Sequence, residues 1–341
     1  MTPPFLYVIV YNHICFCIDR AALIHAPFCY TIYQQKDEGK DSMTDVADAG
    51  ASEQREKDQI ERYIFKSRRK ELWTPFLHAI QDFRLISEGD RIAVCVSGGK
   101  DSWLMAALFQ ALARVTAIPF SAAYVCMDPG YSAQERVAIA DTAARLGIDL
   151  RVFQTDVFEQ VRGVQKGQCY LCARMRRGHL YKEAREIGCN KIALAHHYND
   201  VVETILMGTL YGAQTQTMMP KLFSKNFPGM ELIRPLYYTR EKDITAFRDR
   251  HGIRAISCGC PFLKDRERDT CGGAPGARER VKRLVAQLKE THPQIEDCVF
   301  KSVQNVNLNT IISYRKDGVY TSFLDNYDSV QNCIKEDESH D

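Results

Sequence analysis

Ser97-Gly98-Gly99-Lys100-Asp101-Ser102 combines residue types that hold phosphate: glycines that let a backbone turn tightly around an anion, a lysine that brings charge, and two hydroxyls that hydrogen-bond. The string follows a short apolar run and precedes a helical one, where backbone N–H groups and the positive end of a helix face the same anion. A bare Gly-Gly there would be no more than a turn, and the six-residue string is far more specific. It lacks the spacing Gly-x-x-x-x-Gly-Lys-Ser/Thr, so ordinary kinase or GTPase chemistry is not indicated. Asp101 inside the string, and Asp128 at a strand end in Met127-Asp128-Pro129-Gly130-Tyr131, are candidate ligands for Mg²⁺ on phosphate, because a hard cation takes hard oxygen ligands.

Cysteine supplies the second kind of chemistry. Cys169 and Cys172 stand at i and i+3, adjacent on one face of a helical turn, where a pair of thiols can grip one metal centre. Zinc sites, redox dithiols and chance buried pairs all use Cys-x-x-Cys, so the pair by itself does not choose. Cys258, Cys260 and Cys271 offer three more thiols later in the chain. Two plus two would close a tetrahedral zinc site, whereas two plus one would leave a fourth position open on a 4Fe–4S cluster. Cys95, Cys126 and Cys189 lie in apolar or helix-end surroundings and are expected to be core thiols.

The elements that must position these groups alternate. Apolar runs at 91–96, 122–127, 150–153 and 192–195 are separated by helical patterns through 112, over 133–146, over 169–187 and over 201–211. Strands alternating with helices of these lengths predict an α/β fold, a doubly wound parallel sheet with ligands at the carboxyl ends of its strands. Further apolar stretches follow at 232–238, a helix near 243–250, a basic helix over 277–289 and short strands within 299–328. The layout expected is an upstream extension over 1–42 with no evolved role, a polar linker and basic helix over 43–88, and the phosphate-loop domain over 89–255. A cysteine-bearing, basic region over 256–330 and an acidic tail over 331–341 complete it.

The phosphate string resembles the signature of the PP-loop ATP pyrophosphatases, whose sheet belongs to the adenine nucleotide alpha hydrolase-like folds. The resemblance continues at Ala195-His196-His197-Tyr198-Asn199-Asp200-Val201-Val202-Glu203-Thr204, which is similar to that family's His-His-x-Asp-Asp segment, with Asn199 where an aspartate is usual. It implies that Ser97, Gly98, Gly99, Lys100, Asp101 and Ser102, with Asp128 and His196, bind ATP, and that Asp200, Lys100 and Asp101 are catalytic with Mg²⁺. His197 has an equal claim to be a helix-capping or core histidine.

Cys169-x-x-Cys172 followed by Arg174-x-Arg176-Arg177-Gly178, in a chain with both other segments, resembles the tRNA 2-thiocytidine synthetases from about residue 60 to 314. That implies a 4Fe–4S cluster on Cys169, Cys172 and one late cysteine, for which Cys260 is the first choice, with Cys271 and Cys258 as alternatives. It also implies that ATP activates C2 of a cytidine, at position 32 of tRNA, for exchange of oxygen against sulfur from a cysteine desulfurase or another donor. Thiolation of a tRNA uridine, lysine transfer to tRNA and a non-catalytic nucleotide- and metal-binding sensor are the alternatives.

Arg174, Arg176 and Arg177, Lys264, Arg266 and Arg268, and Arg278, Arg280, Lys282 and Arg283 form basic groups that could track an RNA backbone, with Arg280 and Arg283 the favoured pair on the late helix. A net charge of +2 leaves that task to local patches, since the field of the whole molecule is close to neutral. Thirteen cysteines without a secretory leader predict a reducing, cytoplasmic setting, and homodimerisation is open. The apolar run 5–11 stops at Asn12 and His13, short of the ~18–20 residues a membrane span needs.

Overall fold

In the computed structural model, residues 7–11, 14–18, 55–162, 164, 168–256 and 276–327 are described, with backbone alone for 7–11, 14–18, 168, 169 and 326. The expectations for Cys258, Cys260, Lys264, Arg266, Arg268, Cys271 and the acidic tail lie outside the described residues. Strands β1 (Tyr7–Tyr11) and β2 (Ile14–Ile18) pair antiparallel within the stretch expected to be an extension. Contacts divide the chain into two units, Met1–Val201 with Met218–Pro275, and Val202–Thr217 with Gly276–Asp341.

Within the first unit, helical residues 55–62 pass into two π-helical turns, Tyr63–Ser67 and Arg69–Trp73, before α1 (Thr74–Asp82). One continuous amphipathic helix over 60–83 was the expectation. Arg68 leaves the helical region at φ −128°, and Pro75, at the start of α1, has no N–H for the preceding turn, so the register changes ahead of it.

Six strands form the main sheet in the order β5-β4-β3-β6-β8-β7, all neighbours parallel except β7 with β8. They are β3 (Arg91–Cys95), β4 (Ser121–Asp128), β5 (Leu150–Gln154), β6 (Lys191–Ala193), β7 (Lys221–Phe223) and β8 (Glu231–Ile233). The doubly wound α/β expectation is met. The antiparallel edge at β7 is its addition, and the predicted run 232–238 keeps strand form only to Ile233. Parallel strands need helical crossovers, supplied by α2 (Lys100–Val115), α3 (Ala133–Leu146), the short α4 (Val157–Gln160), α5 (Gln168–Glu186) and α6 (Tyr198–Gly212), with α7 (Glu241–Arg250) after the sheet.

Helix α2 is apolar almost all round, and Trp103, Leu104, Met105, Leu108 and Phe109 are fully buried, as a helix central to a core requires. Each such side chain contributes about 1.5–3 kcal/mol by leaving water. Beyond β3 the chain winds to β4 and β5 on one side and to β6 and β8 on the other. The order therefore reverses between β3 and β6, and a crevice opens there at the strands' carboxyl ends.

The second unit holds the later part of α6, α8 (Ala277–Thr291), α9 (Ile295–Ser302) and a hairpin of β9 (Ser313–Lys316) and β10 (Val319–Ser322). Val281 and Val285, one turn apart, are the buried residues of α8, and Lys289 pairs with Glu296 at 2.8 Å. Asp317 and Gly318, at φ 52° and 84°, make the two-residue turn that the twist of a hairpin favours.

Candidate active site at the sheet switch point

The phosphate loop leaves β3 at Val96, whose N–H still donates to Val125 on β4. Gly98 turns the chain at φ 79°, a region costly to residues with a Cβ, and a Cβ there would come within 3.0 Å of Ile256. Its carbonyl is gripped twice, by the Trp103 indole N–H at 3.1 Å and the Ile256 N–H at 2.9 Å. Ser102 Oγ donates to the Gly99 carbonyl at 2.8 Å and accepts from the Ser97 N–H at 3.1 Å, which commits this hydroxyl to the shape of the loop. Gly99 is the N-cap of α2, so the helix's positive end opens onto the crevice.

Across the switch point, β6 runs into His196 and His197, and α6 begins at Tyr198. His197 is 5% exposed and caps the helix reciprocally: its N–H donates to Asp200 Oδ2 at 3.0 Å, while its Nδ1 accepts from the Asp200 N–H at 3.4 Å. Its Nε2 stands 3.7 Å from Asp101 Oδ1 and 3.6 Å from Asp200 Oδ2. The capping and core readings of His197 both hold, and this one ring brings the loop's carboxylate and the helix's carboxylate together. Asn199, in place of the usual aspartate, uses its side-chain oxygen to accept the Glu241 N–H at 3.0 Å, an acceptor role either side chain can fill. Lys100 Nζ lies 2.8 Å from Asp101 and 3.4 Å from Glu241, so the lysine ties the loop to the first turn of α7.

Asp128 has a different place. It is 2% exposed, its Oδ1 accepts the N–H groups of Gly130 and Tyr131 at 2.9 and 2.7 Å, and its Oδ2 accepts Arg136 Nε at 2.7 Å. Burial pushes the carboxyl up, but those two backbone donors and the guanidinium outweigh it and hold the group below the usual carboxylate range. The turn so braced carries Tyr131, whose hydroxyl donates to the Ser97 carbonyl at 3.1 Å. The structure thus sets Asp128 behind the phosphate loop, as its support.

A cavity of about 470 Å³ is lined by Ser97, Asp101, Ser102, His196 and Asp200 on the sheet side and by Ala173, Arg176 and Arg177 of α5 opposite. Arg234, just past β8, completes the lining. A neighbouring cavity of about 730 Å³, lined by Asp156, Arg162, His179 and Lys182, is larger, but the phosphate loop and Asp200 face the smaller one. Among the described residues no group of three or more His, Cys, Asp or Glu side chains is disposed to hold a metal ion.

Cys172 is half-buried, one residue before Ala173 and one turn before Arg176. Cys95, Cys126 and Cys189 contrast with it. Burial pushes all three thiols up, that of Cys126 to about 12, so they stay protonated and inert in the core. The side chain of Cys169 lies outside the described residues with the three late cysteines, but the segment leading to the latter is anchored to the loop through Ile256.

On α5, Tyr170 is 70% exposed, and the exposed Arg174 and Arg177 follow it at i+4 and i+7, along one helical stripe. In the second unit Arg278 lies 3.4 Å from Glu203, the guanidinium of Arg280 lies 5.4 Å over the Tyr211 ring, and Arg283 pairs with Glu279 at 3.1 Å. Tyr131, Tyr170, Arg234 and Glu241 had escaped the sequence reading. Only Arg234 left a signal, as a charge inside the apolar run Leu232-Ile233-Arg234-Pro235-Leu236.

The model of the PP-loop domain family matches residues 69–257. The tRNA-cytidine(32) 2-sulfurtransferase of Syntrophotalea carbinolica is 38% identical over 231 residues, 67% of this chain and 86% of the relative. That of Vibrio vulnificus is 34% identical over 258 residues, 74% of this chain and 79% of the relative. Among solved structures, a U34-tRNA thiolase from Methanococcus maripaludis with its 4Fe–4S cluster superposes with a TM-score of 0.55 at 18% identity, covering 71% of this chain and 82% of that one; at that identity the likeness is one of fold.

Proposed function

The chain belongs to the PP-loop family and, within it, to the tRNA-cytidine(32) 2-sulfurtransferases, and from that membership we propose that it uses ATP to replace the C2 oxygen of a tRNA cytidine by sulfur. The observation that carries this reading is the convergence on one cavity of the phosphate loop, the Asp101 and Asp200 carboxylates and the cysteine-bearing helix α5.

The C2 carbonyl oxygen of cytidine is a poor leaving group, so it must first be activated. It attacks the α-phosphorus of ATP; the bond from that phosphorus to the bridging oxygen breaks, and pyrophosphate departs into the loop of Ser97–Ser102 at the α2 N-terminus. Asp101 and Asp200, with phosphate oxygens, suit a Mg²⁺ ion that would offset the charge developing on the leaving group. Once adenylated, the oxygen leaves as AMP when sulfide takes its place at C2.

Cys172 suits a ligand position on a 4Fe–4S cluster. Cys172 is a half-buried thiol beside the arginines of α5, unlike the deeply desolvated thiols of the core. Cys260 lies four residues past the Ile256 anchor, a reach of at most ~14 Å. When bound by Cys169, Cys172 and Cys260, such a cluster would leave one iron without a protein ligand and supply the sulfur. Each turnover consumes one sulfide, which a donor must restore; if the donor is a cysteine desulfurase, its persulfide carries sulfur two electrons above sulfide, so a two-electron reductant such as a dithiol must act with it. The stripe Tyr170, Arg174, Arg177 offers an aromatic face for an unstacked base and cations for its backbone, which suits a base splayed from an anticodon loop.

Anaerobic reconstitution with iron and sulfide tests this assignment through the visible spectrum and metal content of the intact chain and of its Cys169→Ala, Cys260→Ala and Cys271→Ala variants. A brown protein with about four irons, lost in the Cys169 and Cys260 variants and kept in the Cys271 variant, is the expected result. A colourless protein holding zinc would overturn the cluster.

A further inference from the structure

Arg234 enters the cavity from the end of β8 and is 6% exposed. Its Nη1 donates to the Met219 carbonyl, and its backbone N–H donates to Pro220 at 2.9 Å. Its Nε is buried and meets no acceptor among the described residues. A guanidinium is always charged and carries five donors, and burying one without a matching anion is costly. Burial, together with Arg177, pulls its pKa down to about 10; Tyr237, Tyr181 and Asp200 pull the other way, but no carboxylate forms an ion pair with it among the described residues. A fold that holds a desolvated cation in its cavity without an anion of its own has left that position for an anionic ligand.

The sheet order says which anion. Arg234 follows β8, two strand spacings or roughly 10 Å from β3, whose end carries the phosphate loop. Asp200 and His196, after β6, lie between. With pyrophosphate in the loop, the group left facing Arg234 is the phosphoryl that stays with the adenosine. Resting on the reaction proposed above, we infer that Arg234 is a catalytic residue that hydrogen-bonds the α-phosphoryl group of ATP and of the adenylate, and stabilises the charge it gains as the cytidine oxygen attacks. A backbone phosphate of the tRNA offers the same chemistry from another source, and binding experiments separate the two.

The test uses the intact chain with Arg234→Gln, which keeps an N–H for Met219, and Arg234→Lys, which keeps the charge. Calorimetric titration with AMP, pyrophosphate and unmodified tRNA needs neither cluster nor turnover, so its result is independent of which base is thiolated. AMP affinity should fall about ten- to a hundredfold in the Gln variant and partly recover in the Lys variant, with pyrophosphate and tRNA affinities unchanged. Pyrophosphate release should lose about a hundredfold or more in kcat with a smaller change in the KM for ATP. In the unsubstituted protein, the Arg234 Nε–H resonance should move on adding AMP and stay on adding pyrophosphate, a readout that does not depend on how well a variant folds. Unchanged AMP affinity in a variant that melts like the parent, a still Nε–H resonance, or a loss confined to tRNA would each overturn the assignment.

Discussion

At the scale of single residues, the shape of the phosphate loop depends on Gly98. Its φ of 79° strains any residue with a Cβ, and the 3.0 Å approach that a Cβ would make to Ile256 requires that side chain to give way. Gly98→Ala should cost about 1–2 kcal/mol in backbone strain, with overpacking against Ile139 and Ile256 in addition, and should remove nucleotide binding. Urea denaturation and nucleotide titration of the variant check both halves, and a variant that keeps its midpoint and still binds ATP would contradict this view of the loop. Gly98, Lys100, Asp101 and Asp200 were legible in the sequence because each lies in a contiguous string whose residue types carry their own reason. Arg234 and Tyr131 were not, because their meaning is tertiary: one reaches the cavity from a different strand, and the other holds Ser97 from 34 residues away.

At the scale of elements, the opposite ends of the strands are held by a buried charge cluster. Lys191, at the start of β6, places Nζ 2.8 Å from Asp90, 3.0 Å from Glu231 and 2.9 Å from the Leu85 carbonyl, with all three charged side chains under 9% exposed. It stitches the entry to β3, β6 and β8 together, and so fixes the three strands whose far ends build the crevice. Lys191→Ala, and equally Lys191→Met, would take from two buried carboxylates the cation they share, leaving Asp90 its Ser87 and Asn190 donors and Glu231 the more distant Lys221, and either should lower unfolding free energy by about 3 kcal/mol at unchanged m in urea. A loss under about 1 kcal/mol would mean that the cluster is better hydrated than its burial implies. The alternation of strands and helices was plain from apolar runs of the right lengths. The π-helical turns around Arg68 were not, since helical periodicity barely distinguishes one extra residue per turn, and the antiparallel β7 was too short to stand out.

At the scale of the whole molecule, a net charge of +2 gives no general attraction to RNA, so recognition must be local. Within the first unit, the stripe from Tyr170 to Arg177 leads along α5 to the cavity. Within the second, Arg278 and Arg283 share their charge with Glu203 and Glu279, which dilutes the basic face of α8 that the sequence suggests. Among the described residues no helix is long and apolar enough to cross a membrane. In the proposed chemistry, ATP consumption and sulfur insertion are one reaction on a tRNA cytidine. The most direct measurement incubates the reconstituted chain anaerobically with ATP, a sulfide source and unmodified tRNA, then counts thionucleosides by mass spectrometry after digestion, beside AMP. The expected result is 2-thiocytidine at position 32, one AMP for each, and neither product without the other. Thiolation at a uridine, or AMP formed with no thionucleoside while sulfide is present, would contradict it.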